Sequence, residues 1–226
     1  EILGLDIGLH AVKAVCLERR GKSLVLKRAE IFPFTGNTED RILILSGWLE
    51  QHRLKKIHGS IGLSGQKARF QPVILPQEDT RSFGQAVAME VLKFNELVSE
   101  TSLYGFAPLT DREGERRLMI AMARPAVLDD ALSMPKAAGL EVVDIIPAPV
   151  ALFNAMQAWG WVVPEPVIYA DIGGSATEVA IGSTDGLMFG RSFPIGGQMF
   201  TEAVAATGKM TPVQAETFKV TMGAVS

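Results

Sequence analysis

Two aspartates sit where a carboxylate can do chemistry: Asp6 in I-L-G-L-D-I-G (residues 2–8) and Asp171 in I-Y-A-D-I-G-G-S (168–175). Each closes an apolar run and is followed two residues later by glycine. Gly173, Gly174 and Ser175 allow a tight turn whose amide N–H groups point outward, a concavity suited to phosphate oxygens. Asp171 at the mouth of that turn is placed to hold Mg²⁺ directly or through water. Taken alone the turn proves little, because D-x-G-G also closes ordinary hairpins.

The chain contains the pattern twice. Asp6-Ile7-Gly8 matches Asp171-Ile172-Gly173, and Ala11 matches Ala176. Gly21 follows Asp6 by the same fifteen residues that separate Gly186 from Asp171. Repeats reveal architecture before any single motif does. Two copies of strand, Asp-Gly turn and strand imply two similar lobes whose turns are able to face each other across a cleft.

The elements that must position these turns follow in order. Apolar alternation predicts strands over 3–18 (two strands about the Asp6 turn) and 23–34, then a helix capped by Thr38 and running to about His52. Ile42, Leu45 and Leu49 share one face of it, with Ile44 and Trp48 beside them. A short strand covers 57–64. From about Gly65 the pattern changes to a strand over 69–76 and a helix opened by Asp79 or Thr80 that carries Phe83, Val87, Val91, Phe94 and Val98. Strands over 101–109 and 117–123 follow, joined by the polar turn 111–115. Pro125 suits the first position of the next helix, which ends near Gly139, and Pro135 should kink or shorten it. A strand covers 142–146, and a helix from 147 to 159 stops at Gly160. Trp159 and Trp161 read as staples of that helix end to the core. The run Val167–Ala170 suits a strand covered on both faces, and Asp185-Gly186 a hairpin turn. Strands over 177–182 and 187–194, a Gly196-Gly197 turn, a helix over 199–207 and a helix from Thr211-Pro212 bearing Ala215, Phe218 and Met222 complete the chain.

Composition sets outer limits. The 226 residues carry a net charge of −3, which argues against nucleic acid or a membrane surface as a dominant partner. Arg19-Arg20, Lys55-Lys56 and Arg116-Arg117 are short, isolated basic pairs and read as solvated turns. The one cysteine, Cys16, forms no internal disulfide, fits a reducing compartment and reads as a small core residue. No apolar run reaches the ~18 residues of a membrane span and no signal peptide is evident, so a cytoplasmic protein is expected. A mean hydropathy of +0.21 hints at apolar surface covered by a partner or by further parts of the fold. Self-association is one expression of that surface.

The duplicated turns resemble the actin, heat-shock chaperone and sugar-kinase ATPase superfamily, in which two such hairpins grip the phosphates of ATP. Further stretches resemble its PilM-type branch of type IV pilus assembly proteins: L-G-L-D-I-G-x-x-x-V-K-A-V at 3–15, V-I-L-P at 73–76, K-A-A-G-L at 136–140, and the run 171–201 ending F-P-I-G-G-Q-M-F-T. The likeness spans essentially the whole chain. It implies an α/β fold of the actin-like ATPase (ribonuclease H-like) type, two-lobed with an inserted small αβ module. Lobe 1 would comprise residues 1–58, completed by 144–160. A β-α-β-β-α-β module would span 59–143, and 161–226 would begin lobe 2. The second lobe is expected to be truncated, since the glycine-rich adenosine turn usual there is not found.

The resemblance also implies the cofactors and partner. It places Mg²⁺ at Asp6 and Asp171. ATP or ADP phosphates fall on the backbone of Gly8, Leu9 and His10, on Lys13, and on Gly173, Gly174, Ser175 and Thr177. Gly196 and Gly197 join this cofactor-binding set. Lys13 would supply a flexible point charge and Thr177 a hydroxyl. Glu216 and Lys219 match positions of nucleoside contact, and equally form an ordinary i,i+3 surface pair. His10 is bulkier than the small polar residue usual in the first turn and either hydrogen-bonds phosphate or narrows the site. His52 and His58 lack partners of metal-ligand type. The superfamily orients its attacking water with a Glu, Gln or Asp in E-P-x-A at the start of the return helix. Here that stretch is A-P-V-A from Ala148 to Ala151, so hydrolysis should be slow or absent. Asp144 would substitute only if its strand turned the carboxylate into the cleft. The partner implied is the cytoplasmic N-terminal peptide of an inner-membrane PilN-like protein, lodged between lobe 1 and the module. Two other readings differ in kind: an FtsA-like division protein, and a small-molecule kinase of the sugar-kinase branch, for whose catalytic carboxylate no motif is found.

Overall fold

The computed structural model describes residues 1–8, 10–33, 37–64, 67–76, 81–98, 101–109, 111 and 114–223. Leu9, Gly65, Asp79 and Thr80 lie outside the described residues. The chain begins with three antiparallel strands, β1 (Ile2–Ile7), β2 (Ala11–Arg20) and β3 (Ser23–Pro33). Helix α1 (Thr38–Gln51) then returns the chain to β4 (His58–Leu63), which pairs parallel to β1. Asn37 caps α1 through its Oδ1, which accepts the Asp40 N–H at 3.0 Å. The cap therefore stands one residue before the expected Thr38. Leu45, Trp48 and Leu49 turn inward onto the sheet, whereas Ile44 and Leu43 face outward.

After β4 come β5 (Arg69–Pro76), α2 (Phe83–Val98), β6 (Leu103–Pro108), β7 (Glu115–Ala123), α3 (Pro125–Ala137) and β8 (Glu141–Pro147). Strand β8 pairs parallel to β4, giving a five-stranded sheet of order β3-β2-β1-β4-β8. Helix α3 lies beside α1, and Met134, Ala138 and Leu140 join Leu3, Leu5, Cys16 and Leu45 in the first core. Pro125 occupies the first turn of α3, and the buried Pro135 sits in the last turn of a helix that ends at Ala137.

The module is consequently smaller than the expected 59–143. Parallel neighbours such as β4 and β8 require a long crossover, and the insertion lies within that crossover. Among the described residues, β5, α2, β6 and β7 form the separate layer, with sheet order β5-β7-β6 packed on α2 through Val73, Leu75, Val87, Val91, Leu118 and Ile120. Ser82 and Gln85 exchange reciprocal bonds at the start of α2, Ser82 N–H to Gln85 Oε1 at 2.9 Å and Gln85 N–H to Ser82 Oγ at 3.3 Å, which is capping-box geometry.

The return helix α4 (Ala148–Ala158) leads to β9 (Val167–Ile172), β10 (Thr177–Ser183) and β11 (Gly186–Phe193), then α5 (Gly197–Gly208) and α6 (Pro212–Met222). The sheet order β11-β10-β9 repeats β3-β2-β1. The copies agree in detail. Both hairpin glycines have positive φ, Gly21 at 61° and Gly186 at 109°. Both second hairpins slip register at equivalent places, between Cys16 and Leu17 and between Ile181 and Gly182. A third core of Met119, Phe153, Tyr169, Ala180 and Leu187 joins the module, α4 and the second sheet.

Three expectations need correction here. Strand β9 is an edge strand, and Ile168 and Ile172 are each 67% exposed because among the described residues no element covers that face. Trp159 and Trp161 are exposed too, their rings 6.4 Å apart and tilted against each other rather than stapled to the core. On α6 only Ala215 of the expected stripe is buried, while Phe218 and Met222 remain exposed. Among the described residues no helix is long and apolar enough to cross a membrane.

Candidate functional site: two facing aspartate–glycine turns

The two turns close in the same way. Gly8 N–H donates to Ala11 O at 2.9 Å, and Gly173 N–H donates to Ala176 O at 2.8 Å. A Cβ at Gly8 would stand 3.1 Å from Ala11 O, and one at Gly173 would stand 3.0 Å from Ala176 O. The same close approach of backbone thus favours glycine in both places. Those two amides are engaged inside the hairpins, so neither is a phosphate donor. The described turn amides left to that role are those of His10, Gly174 and Ser175.

The turns meet through His10. A Cβ on Gly174 would fall 2.6 Å from His10 Cδ2 and 3.2 Å from Nε2, so the imidazole of the first turn lies on the second. Its position narrows the space between the lobes, one of the two roles open to it from sequence. Asp6 faces Lys13 across the β1–β2 register, and Lys13 Nζ donates to Asp6 Oδ2 at 2.9 Å. That hydrogen bond raises the lysine's pKa above its ordinary value, opposed by burial and helped by the charges of Asp6 and Asp171. A raised lysine stays cationic across neutral pH and titrates only in strong alkali. Lys13 therefore presents a permanent charge within electrostatic reach of both aspartates.

The equivalent register in the second lobe pairs Asp171 with Glu178. Glu178 is 8% exposed; its carboxylate accepts from Ser64 Oγ, at the end of β4, at 2.7 Å and from Ser192 Oγ on β11. The sequence reading missed this residue. The signal was available: Glu178 follows Asp171 by the interval that separates Lys13 from Asp6, and it shares a strand face with the buried Ala180. Burial of Cys16 pushes its thiol up, consistent with an inert core position.

Other expected ligands are turned toward protein. Thr177 Oγ1 donates to Ile195 O at 2.7 Å, tying β10 to the segment before α5 rather than standing open to phosphate. Gly197 N–H donates to Gly173 O and Gln198 N–H to Gly174 O, each at 2.9 Å. A Cβ on Gly196 would come within 2.6–2.7 Å of Gly173 O, Ala176 N and Gly174 O. Gly196 and Gly197 therefore brace the turn from behind. Lys219 Nζ bonds Glu216 Oε2 at 2.7 Å, Thr201 Oγ1 at 2.9 Å and Gly197 O at 3.1 Å.

Ala148 is the first residue of α4, and the exposed Asp144 pairs with Ser60 on β4. Among the described residues no group of three or more His, Cys, Asp or Glu side chains is placed to hold a metal ion. Two exposed carboxylates, Asp6 and Asp171, nevertheless fit Mg²⁺, which takes one or two protein carboxylates and fills its shell with phosphate oxygens and water. A shallow hollow of about 380 Å³ lined by Lys56, Lys136, Leu140 and Glu141 lies at the opposite end of the first sheet, away from these turns.

Comparison with solved structures places the chain beside three proteins. The PilM–PilN type IV pilus biogenesis complex contains a chain 25% identical to this one, with a TM-score of 0.82 over 99% of this chain and 70% of that one. The cytoplasmic domain of EpsL, an inner-membrane component of the type II secretion system of Vibrio cholerae, is 13% identical, with a TM-score of 0.56 over 93% of this chain and 77% of that one. The ethanolamine utilization protein EutJ from Carboxydothermus hydrogenoformans is 16% identical, with a TM-score of 0.53 over 96% and 60%. The last two share the fold alone. No protein-family model and no curated protein matches the sequence.

Proposed function

We infer, from the PilM-type actin-like ATPase fold that this chain has, that it is a nucleotide-gated scaffold of a type IV pilus or related secretion apparatus. The observation that carries the nucleotide reading is the meeting of the two turns, His10 against Gly174, with Lys13 beside Asp6 and acted on by Asp171. Asp6 and Asp171 hold the cation, the amides of His10, Gly174 and Ser175 take phosphate oxygens, and Lys13 adds a fixed positive charge. Mg²⁺ neutralises phosphate charge when bound. The protein's part is to hold the two turns at a set separation, so that nucleotide closes the lobes on one geometry.

The scaffold role rests on the likeness to the chain from the PilM–PilN complex. The corresponding partner here is the N-terminal peptide of a PilN-like inner-membrane protein, bound between the first lobe and the module. That partner would hold the chain at the cytoplasmic face of the inner membrane. The type II secretion domain of the same fold adds only that this architecture serves more than one apparatus.

Isothermal calorimetry with Mg-ATP tests the reading. Asp171→Ala should lose most of the affinity of the unmodified protein, with the far-UV spectrum unchanged. Equal affinities in the two proteins would overturn the site.

A further inference from the structure

Glu216 and Lys219, which the resemblance implies as nucleoside contacts, are bonded to the start of α5 and to each other in this structure. A lysine ammonium has three N–H donors. All three have acceptors here: Glu216 Oε2, Thr201 Oγ1 and Gly197 O, at 2.7, 2.9 and 3.1 Å. Thr201 is 7% exposed; its hydroxyl accepts from Lys219 and has both Gly197 O, at 3.0 Å, and the Glu216 carboxylate within reach of its single proton.

The place of this cluster is informative. Lys219 lies in the last turn of α6, where a cation suits the helix dipole, but its ammonium reaches the first residue of α5, where it does not. Only the Glu216 carboxylate and the two oxygen acceptors offset that cost. The carbonyl it grips belongs to Gly197, whose own N–H is bonded to Gly173 O; the next amide, Gln198 N–H, is bonded to Gly174 O. Gly196 packs so closely on the same turn that no side chain fits between them. A continuous series of contacts thus runs from α6 through the start of α5 to the Gly173–Gly174 turn, and on to His10 of the other lobe.

We propose that Lys219, with Thr201 and Glu216, is a positioning residue that fixes the start of α5 and thereby the shape of the second aspartate–glycine turn. Its consequence for ligand affinity rests on the nucleotide reading above; the structural claim does not. Removing the ammonium lets the Gly197 peptide tilt, which loosens the two amide bonds that hold Gly173 and Gly174.

The test is amide exchange by NMR on the whole chain without nucleotide, followed by titration with Mg-ATP. Lys219→Met should speed exchange of Gly197 and Gln198 roughly tenfold, the loss of about one hydrogen bond's worth of protection, and shift the Gly173 and Gly174 resonances. Amides of β1 and β4 should not change. Thr201→Val should reproduce the effect and Thr201→Ser restore protection, which a mere packing defect would not do. Wild-type protection and unshifted turn resonances in both Lys219→Met and Thr201→Val would overturn the proposal. In the second arm, Lys219→Met should weaken Mg-ATP binding. If the unmodified protein binds no Mg-ATP, the nucleotide reading fails while the exchange result still decides the positioning role.

Discussion

On the proposed nucleotide reading, Ala148 and Glu178 limit what the cleft would do to ATP. Ala148 stands at the first position of α4 with a methyl group, which neither accepts a proton nor orients water. Glu178 is a carboxylate near the turns, but it is buried and engaged by the hydroxyls of Ser64 and Ser192. Binding requires neither residue to act as a base. Steady-state phosphate release should therefore be negligible in the unmodified protein. Ala148→Glu should raise it, by up to ~10²-fold or more if the new carboxylate reaches the water. Robust turnover without the substitution would refute the binding-only reading.

At the scale of elements, α6 meets the start of α5 through the hydrogen bonds of Lys219 and Glu216, buries Ala215, and leaves Val213, Phe218, Val220 and Met222 exposed. Glu216 is part of that attachment, and the hydrogen bond from Lys219 lowers its pKa below the ordinary carboxylate value, helped by Thr201. A depressed carboxyl stabilises the folded state fully above its unfolded pKa and loses that contribution as pH falls through the folded one. The docking of α6 should accordingly weaken only in acid. Because Glu216 is largely solvent-exposed the effect is modest. Resonances of Thr201 and Lys219 followed from neutral to acid pH should move together with Glu216 titration. In Glu216→Gln the same resonances should show no such acid transition; a transition of the same size would remove Glu216 as its cause.

At the scale of the molecule, the lobes meet at points where one side supplies a small residue or a hydroxyl. His10 lies on Gly174, Phe70 of β5 lies against Gly190 of β11, and Ser64 of the first lobe reaches Glu178 of the second. The module is part of this seam, since Phe70 and Met119 belong to the same core as Phe153 and Tyr169. A buried carboxylate bonded across the seam makes lobe orientation a stability question. In a urea-unfolding double-mutant cycle, Ser64→Ala and Glu178→Ala should couple by about 1–2 kcal/mol. Additivity to within about 0.5 kcal/mol would show that the contact does not tie the lobes.

The repeat was legible in the sequence because a tight aspartate–glycine turn is a local demand. Gly21 and Gly186 take positive φ and Gly8 and Gly173 sit against close backbone, all places that favour glycine, so two copies of one pattern predict two copies of one hairpin. Pro125 and Thr211 marked helix starts for the same reason: a cap or a missing N–H acts within one turn of chain. Sequence periodicity did not decide which sheet a strand joins. Strand β8 read as the end of the module but pairs with β4 in the first lobe, since parallel partners are chosen by long crossovers. Strand β9 read as covered on both faces, yet an apolar run does not specify whether a neighbour is present. The roles of Thr177, Gly196, Gly197, Glu178 and Lys219 depended on tertiary structure altogether. Apart from the Lys219–Glu216 pair three residues apart, their hydrogen-bond partners lie 14 to 114 residues away along the chain. A hydrogen bond of that span leaves no local mark of which residues it joins; the repeat interval singles out Glu178 but not Ser64 or Ser192 as its partners.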